Sequence, residues 1–93
     1  LPASGPDCSN VYHLFPILCE KRDELQKYLE NNGVGTVIHY PIPPHKQECY
    51  KEMNGKCLPI TEYIANCELS LPIGPTTSLQ EAALVVELLN KFY

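Results

Sequence analysis

Between His39 and Gln47 the chain reads His-Tyr-Pro-Ile-Pro-Pro-His-Lys-Gln, which puts two imidazoles, a phenol, an ammonium and an amide within nine residues. Such groups supply directed donors and acceptors for the hydroxyls and phosphate oxygens of a polar ligand. Pro41, Pro43 and Pro44 each fix φ and delete a backbone donor, so this stretch is neither regular helix nor central strand. A proline-stiffened loop loses less entropy on ordering, which pre-organises its polar groups. Loops at strand ends are also where binding residues gather. The same residues suit a solvated loop with capping histidines, and composition alone leaves both readings open.

Other candidates are thinner. Cys49 lies four residues after His45, a spacing at which a thiolate and an imidazole meet on a helical turn, but no third orienting group follows. His13 alternates with Tyr12 on an expected strand and reads as a satisfied sheet residue. Ser70 lacks the glycine elbow of a hydrolase nucleophile. The five cysteines contain no C-x-x-C pair, which weighs against zinc. An odd number also leaves a thiol over from any disulfide framework. They read as reduced structural thiols of a cytoplasmic protein. No glycine-rich phosphate loop or paired-carboxylate motif is present.

The elements that must position these residues follow from periodicity. Residues 1–10, with Pro2, Gly5 and Pro6, read as a linker leading into a single domain over residues 11–93. Val11 to Leu18 is an expected strand, placed at a sheet edge by Pro16. Lys21 to Asn32 is an expected helix, with Leu25, Tyr28 and Leu29 on one stripe and Gly33 as its stop. Val34 to Tyr40 is a second expected strand, ending at Pro41. Gln47 to Lys51 suits a short helical turn, and Asn54-Gly55 a turn. Pro59 to Cys67 reads as helix and Leu69 to Ile73 as a third short strand. Ser78-Leu79-Gln80-Glu81 is a capping box opening a helix to Tyr93. Leu79, Ala82, Ala83, Val86 and Leu89 form its expected core stripe. The fold class expected is α+β: a small three-stranded, largely antiparallel sheet covered by helices on one face.

Composition limits the partners. The chain has 93 residues, 44% of them hydrophobic and 19% charged, as in an ordinary globular domain. A domain this short buries roughly 60–65% of its unfolded surface, enough for one modest core. Seven basic against eleven acidic side chains give a net charge of −4. That argues against nucleic acid, whose phosphates demand cationic groups, and against an anionic membrane surface. No apolar run reaches the ~20 residues of a membrane span. Leu1 is not a start methionine, so the chain reads as a piece of something longer.

The segments HLFPI, RDELQKYLENNGVGTVIHYPIPPHKQ, LPITEYIAN and LSLPIGP resemble the C-terminal region of sugar aminotransferases of the DegT/DnrJ/StrS type. The resemblance runs from about Tyr12 to the last residue. It is strongest to enzymes that aminate a keto group of a TDP-linked 6-deoxyhexose. It implies the small C-terminal domain of a fold type I, pyridoxal-phosphate-dependent homodimer working in deoxysugar biosynthesis, with glutamate as amino donor. The large N-terminal domain, holding the cofactor and its Schiff-base lysine, would be the missing partner. No lysine here stands in that context, so the segment itself is expected to bind no pyridoxal phosphate and to be inactive alone. His39 and Tyr40, and then His45 and Gln47, are the positions that the resemblance assigns to the nucleotide-sugar substrate. A stand-alone binding or regulatory module of the same fold is the alternative.

Overall fold

The computed structural model describes residues 5–93, so the first four residues of the expected linker lie outside the described residues. In order come β1 (Phe15–Leu18), α1 (Arg22–Asn31), two 3₁₀ turns (Pro44–Lys46 and Glu48–Met53), α2 (Pro59–Cys67), β2 (Glu68–Leu71) and α3 (Leu79–Phe92). β1 and β2 pair antiparallel, with Phe15 opposite Leu71, Pro16 opposite Ser70 and Ile17 opposite Leu69. β1 begins four residues later than expected from Val11. Tyr12 adopts φ +48°, a left-handed conformation that breaks the extended path before Phe15.

The sheet has two strands among the described residues, not three. The expected strand over residues 34–40 contracts to one bridge, Val37 to Ser70, with N–O distances of 3.2 and 2.8 Å. Two local facts stop it from growing. At one end the next position on β2's chain is Pro72, which has no N–H to give. At the other, the next ladder pair would join His39 to Glu68. The His39 N–H instead donates to the Glu68 side chain at 2.6 Å, and the Glu68 carbonyl accepts from Arg22 Nη1 at 3.2 Å. Pro16 fits its place for a related reason. Ser70 spends its backbone N–H and C=O on Val37, so the residue opposite it on β1 needs no donor.

The core lies between this sheet and two helices. Leu25 and Leu29 of α1, Leu69 and Leu71 of β2, and Val85 and Leu88 of α3 form one buried cluster with Cys19 and Val34. Side chains alternate along a strand, so Glu68 and Ser70 face away from that cluster. Both are nevertheless buried. The α1 stripe falls as expected, and Gly33 follows it at φ +79°. The capping box of α3 also forms: Ser78 Oγ accepts from the Glu81 N–H, and Glu81 accepts from the Ser78 N–H at 2.7 Å. The buried face of α3 differs from expectation. Leu79 is 89% exposed and Val86 is exposed as well, while Val85 and Leu88 are buried, with Leu89 and Phe92 partly so. The helix is apolar around most of its circumference, so more than one stripe satisfies the helical period, and docking selects among them.

Arg22 ties α1 to the end of α2, donating from Nη1 to the carbonyls of Ala65 and Glu68. The first is a terminal acceptor that the helix cannot satisfy itself, and the second opens β2. Beside them the Cys19 N–H donates to the Cys67 carbonyl at 2.9 Å. All five cysteines are unbridged. Cys19 and Cys67 are buried, while Cys8, Cys49 and Cys57 are exposed.

Candidate functional site

His39 and Tyr40 sit where the Val37 bridge gives way to the proline loop. Their rings meet edge to face, with centroids 5.3 Å apart. Tyr40 is 67% exposed, and its hydroxyl bonds to no other described residue. His39 is partly buried. It lines one shallow groove with Tyr40, Pro43, Thr61 and Ile64. On its other side it lines a second groove with His13, Thr36 and Ile73. The pair is therefore held by the sheet at one edge and open on both flanks.

Beneath His39 lies a polar chain that sequence reasoning missed. Ser70 Oγ donates to Glu68 Oε1 at 2.5 Å, and His39 Nδ1 lies 2.9 Å from the same Oγ. The second carboxylate oxygen takes the His39 backbone N–H. One buried carboxylate thus fixes both the main chain and the ring of His39. Ser70 is not a nucleophile but a link in this chain. The sequence signal was the spacing of Glu68 and Ser70 around Leu69. Two polar residues alternating with core leucines look like a solvent face, unless another segment covers them.

The remaining expected site residues lie further along the loop and turn inward. His45 is only 1% exposed, with Nε2 2.8 Å from Glu62 Oε1 on α2. Its Nδ1 has no hydrogen-bond partner among the described residues. The Leu58 N–H, followed by His45, holds the Glu62 carboxyl below the usual carboxylate range. Gln47 donates to the Ile42 carbonyl at 3.1 Å, and Lys46 donates to the carbonyls of Asn54 and Lys56. These bonds close the loop on itself. The conceivable Cys49–His45 pair does not form, because Cys49 Sγ lies toward Gln47 and His45 toward Glu62. No group of three or more potential metal ligands converges among the described residues. No helix among them is long and apolar enough to cross a membrane.

A proline-stiffened strand end thus offers an imidazole and a free phenol. Residues 2–90 match the DegT/DnrJ/EryC1/StrS aminotransferase family. The chain belongs to that family. It is 42% identical over 92 residues to the dTDP-3-amino-3,6-dideoxy-α-D-galactopyranose transaminase of Aneurinibacillus thermoaerophilus, covering 99% of this chain and 25% of that protein. It is 41% identical to the erythromycin biosynthesis sensory transduction protein EryC1 of Saccharopolyspora erythraea, over 97% of this chain and 25% of that protein. Among solved structures it matches S. venezuelae DesV in complex with a ketimine intermediate, at TM-score 0.92 and 37% identity, over 99% of this chain and 25% of the other. The chain spans about a quarter of the length of these relatives.

Proposed function

We propose that this chain is the C-terminal domain of a pyridoxal-phosphate-dependent nucleotide-sugar aminotransferase. In this reading the whole protein transaminates a TDP-linked keto-deoxyhexose, with glutamate as donor, and works as a homodimer in the cytoplasm. The observation that carries the proposal is the match of 99% of this chain to a quarter of a dTDP-sugar transaminase. The His39–Tyr40 pair supports it, because a ligand hydroxyl can meet the Tyr40 O–H on one side and the His39 ring on the other.

Cofactor binding falls outside this chain in the proposal. In support, four of the six lysines are engaged: Lys21, Lys51 and Lys91 pair with surface carboxylates, and Lys46 is spent on loop carbonyls. Each α-helix amino end that could hold a phosphate already carries acidic side chains: Asp23 and Glu24 at α1, Glu62 at α2, Glu81 at α3. The cofactor and its lysine then belong to a large N-terminal domain, and this domain orients the sugar. His39 and Tyr40 touch the substrate, while His45 and Gln47 hold the loop that carries them.

The relative named for sensory transduction favours a second reading, a non-catalytic regulatory module of the same fold. The two separate cleanly. The full-length protein, supplied with pyridoxal phosphate, glutamate and a TDP-linked 3-keto-6-deoxyhexose, is expected to release 2-oxoglutarate and the amino sugar. A full-length protein that binds the nucleotide sugar without any turnover would establish the regulatory reading instead.

A further inference from the structure

We infer that Glu68 and Ser70 are positioning residues that fix the neutral His39 ring as its Nδ1–H tautomer, so that Nε2 stands open as an acceptor for a ligand hydroxyl. A carboxylate only accepts, and a serine hydroxyl has one hydrogen to give. Ser70 Oγ lies 2.5 Å from Glu68 Oε1, so its hydrogen goes to the carboxylate. The contact of 2.9 Å between Oγ and His39 Nδ1 then needs its hydrogen from the ring. In the neutral ring the other nitrogen, Nε2, is left with a lone pair. It has no hydrogen-bond partner among the described residues.

Alternative rotations of the chain are closed. The other Glu68 oxygen is held by the His39 N–H at 2.6 Å, so the carboxylate cannot turn away. Glu68 and Ser70 are both buried, which keeps water from substituting for either partner. An acceptor at Nε2 has a definite preference: it bonds a sugar hydroxyl and is mismatched to a phosphate oxygen, which also only accepts. Resting on the reading above, this assigns His39 to a hydroxyl of the sugar rather than to the diphosphate.

The test is the tautomer itself, read from two-bond ¹H–¹⁵N couplings in the full-length protein labelled with ¹⁵N-histidine, with His39→Gln identifying the signal. The wild type is expected to show the Nδ1–H form in about tenfold excess, the ratio that one neutral hydrogen bond supports. In Glu68→Gln the amide oxygen keeps the His39 N–H, and the amide NH₂ donates to Ser70. The Ser70 hydroxyl then turns its hydrogen to Nδ1, and the majority form becomes Nε2–H. Ser70→Ala is expected to give a mixture, and Ser70→Thr, which restores the hydroxyl, to return the wild-type spectrum. In Glu68→Gln the KM for the nucleotide sugar is expected to rise about tenfold with kcat within about twofold, as for a contact made equally before and during reaction. A wild-type majority of Nε2–H overturns the proposal, even if every variant fails to fold. So does Glu68→Gln with an unchanged tautomer, or a switched tautomer with unchanged KM. A wild-type protein that turns over no nucleotide sugar overturns the functional reading alone, and the tautomer spectrum still decides this one.

Discussion

The two halves of the domain are ordered by different physics. Around α1, β2 and α3, the side chains of Leu25, Leu29 and Leu69 are fully buried, and apolar contact holds the elements together. From Pro41 to Leu58, His45 is the only buried residue. The bonds of Lys46, Gln47 and His45 to carbonyls and to Glu62 hold that stretch instead. Burial scales with area and tolerates small shifts, whereas a hydrogen bond is lost within about half an ångström. A loop built from a few polar fasteners keeps one shape without a core of its own, but each fastener counts.

The comparison breaks first if the apolar half proves soft. Leu69→Ala should cost about 2–5 kcal/mol, because it removes buried methyl groups from the centre of the cluster. Urea unfolding should show the loss equally by every spectroscopic probe. Next in size is the functional loop. In the full-length protein, His39→Ala or Tyr40→Phe should lower kcat/KM for the nucleotide sugar roughly tenfold to a hundredfold, the worth of one positioned hydrogen bond. Cys8→Ser is the matched control and should change nothing.

A more local loss is expected for His45→Ala, about 1–2 kcal/mol, from the cavity and the lost Glu62 bond. Hydrogen exchange should quicken over residues 42–62 and stay unchanged in α1 and α3. If protection fell evenly across the domain, the loop would share the core's cooperativity and the contrast would fail. Ser78→Ala should cost about 1 kcal/mol by removing the helix cap, visible as a lower urea midpoint with the same slope.

The smallest effect is with acid. The Ser78 N–H and hydroxyl hold Glu81 below the usual carboxylate range, as Leu58 and His45 do for Glu62. Carboxyls with lowered folded values bind their protons more readily in the unfolded chain. Their stabilisation is complete above the ordinary carboxylate pKa and fades as pH falls through the lowered values. Both groups are solvated, so the loss should be slight. Glu81→Gln and Glu62→Gln should each flatten part of the acid limb of a stability–pH curve.

What the sequence made legible were features written in neighbouring residues. The Leu25–Leu29 stripe, the Ser78–Glu81 box and the stiff stretch after Tyr40 each rest on a spacing of a few positions. What it concealed was decided across the chain. The third strand fails because the Glu68 side chain, twenty-nine residues from His39, takes a hydrogen bond that the ladder would have used. The buried face of α3 was undecidable from a helix with leucine and valine on several sides. His39 and Tyr40 stood out as a polar cluster, but Glu68 and Ser70 became part of the site only once the chain folded over them.

The placement of the thiols gives the domain an internal clock and its reference. Cys49 and Cys57 stand on the polar loop, and Cys19 and Cys67 are buried where the end of β1 meets the end of α2. Thiolate attack needs access, so an alkylating reagent reaches the first pair at once and the second only when the fold opens. Pulse alkylation with mass readout would time the opening of the core in one unmodified sample, with the exposed pair as the internal standard for the reagent. The lag between the two signals would measure directly how long the core stays closed.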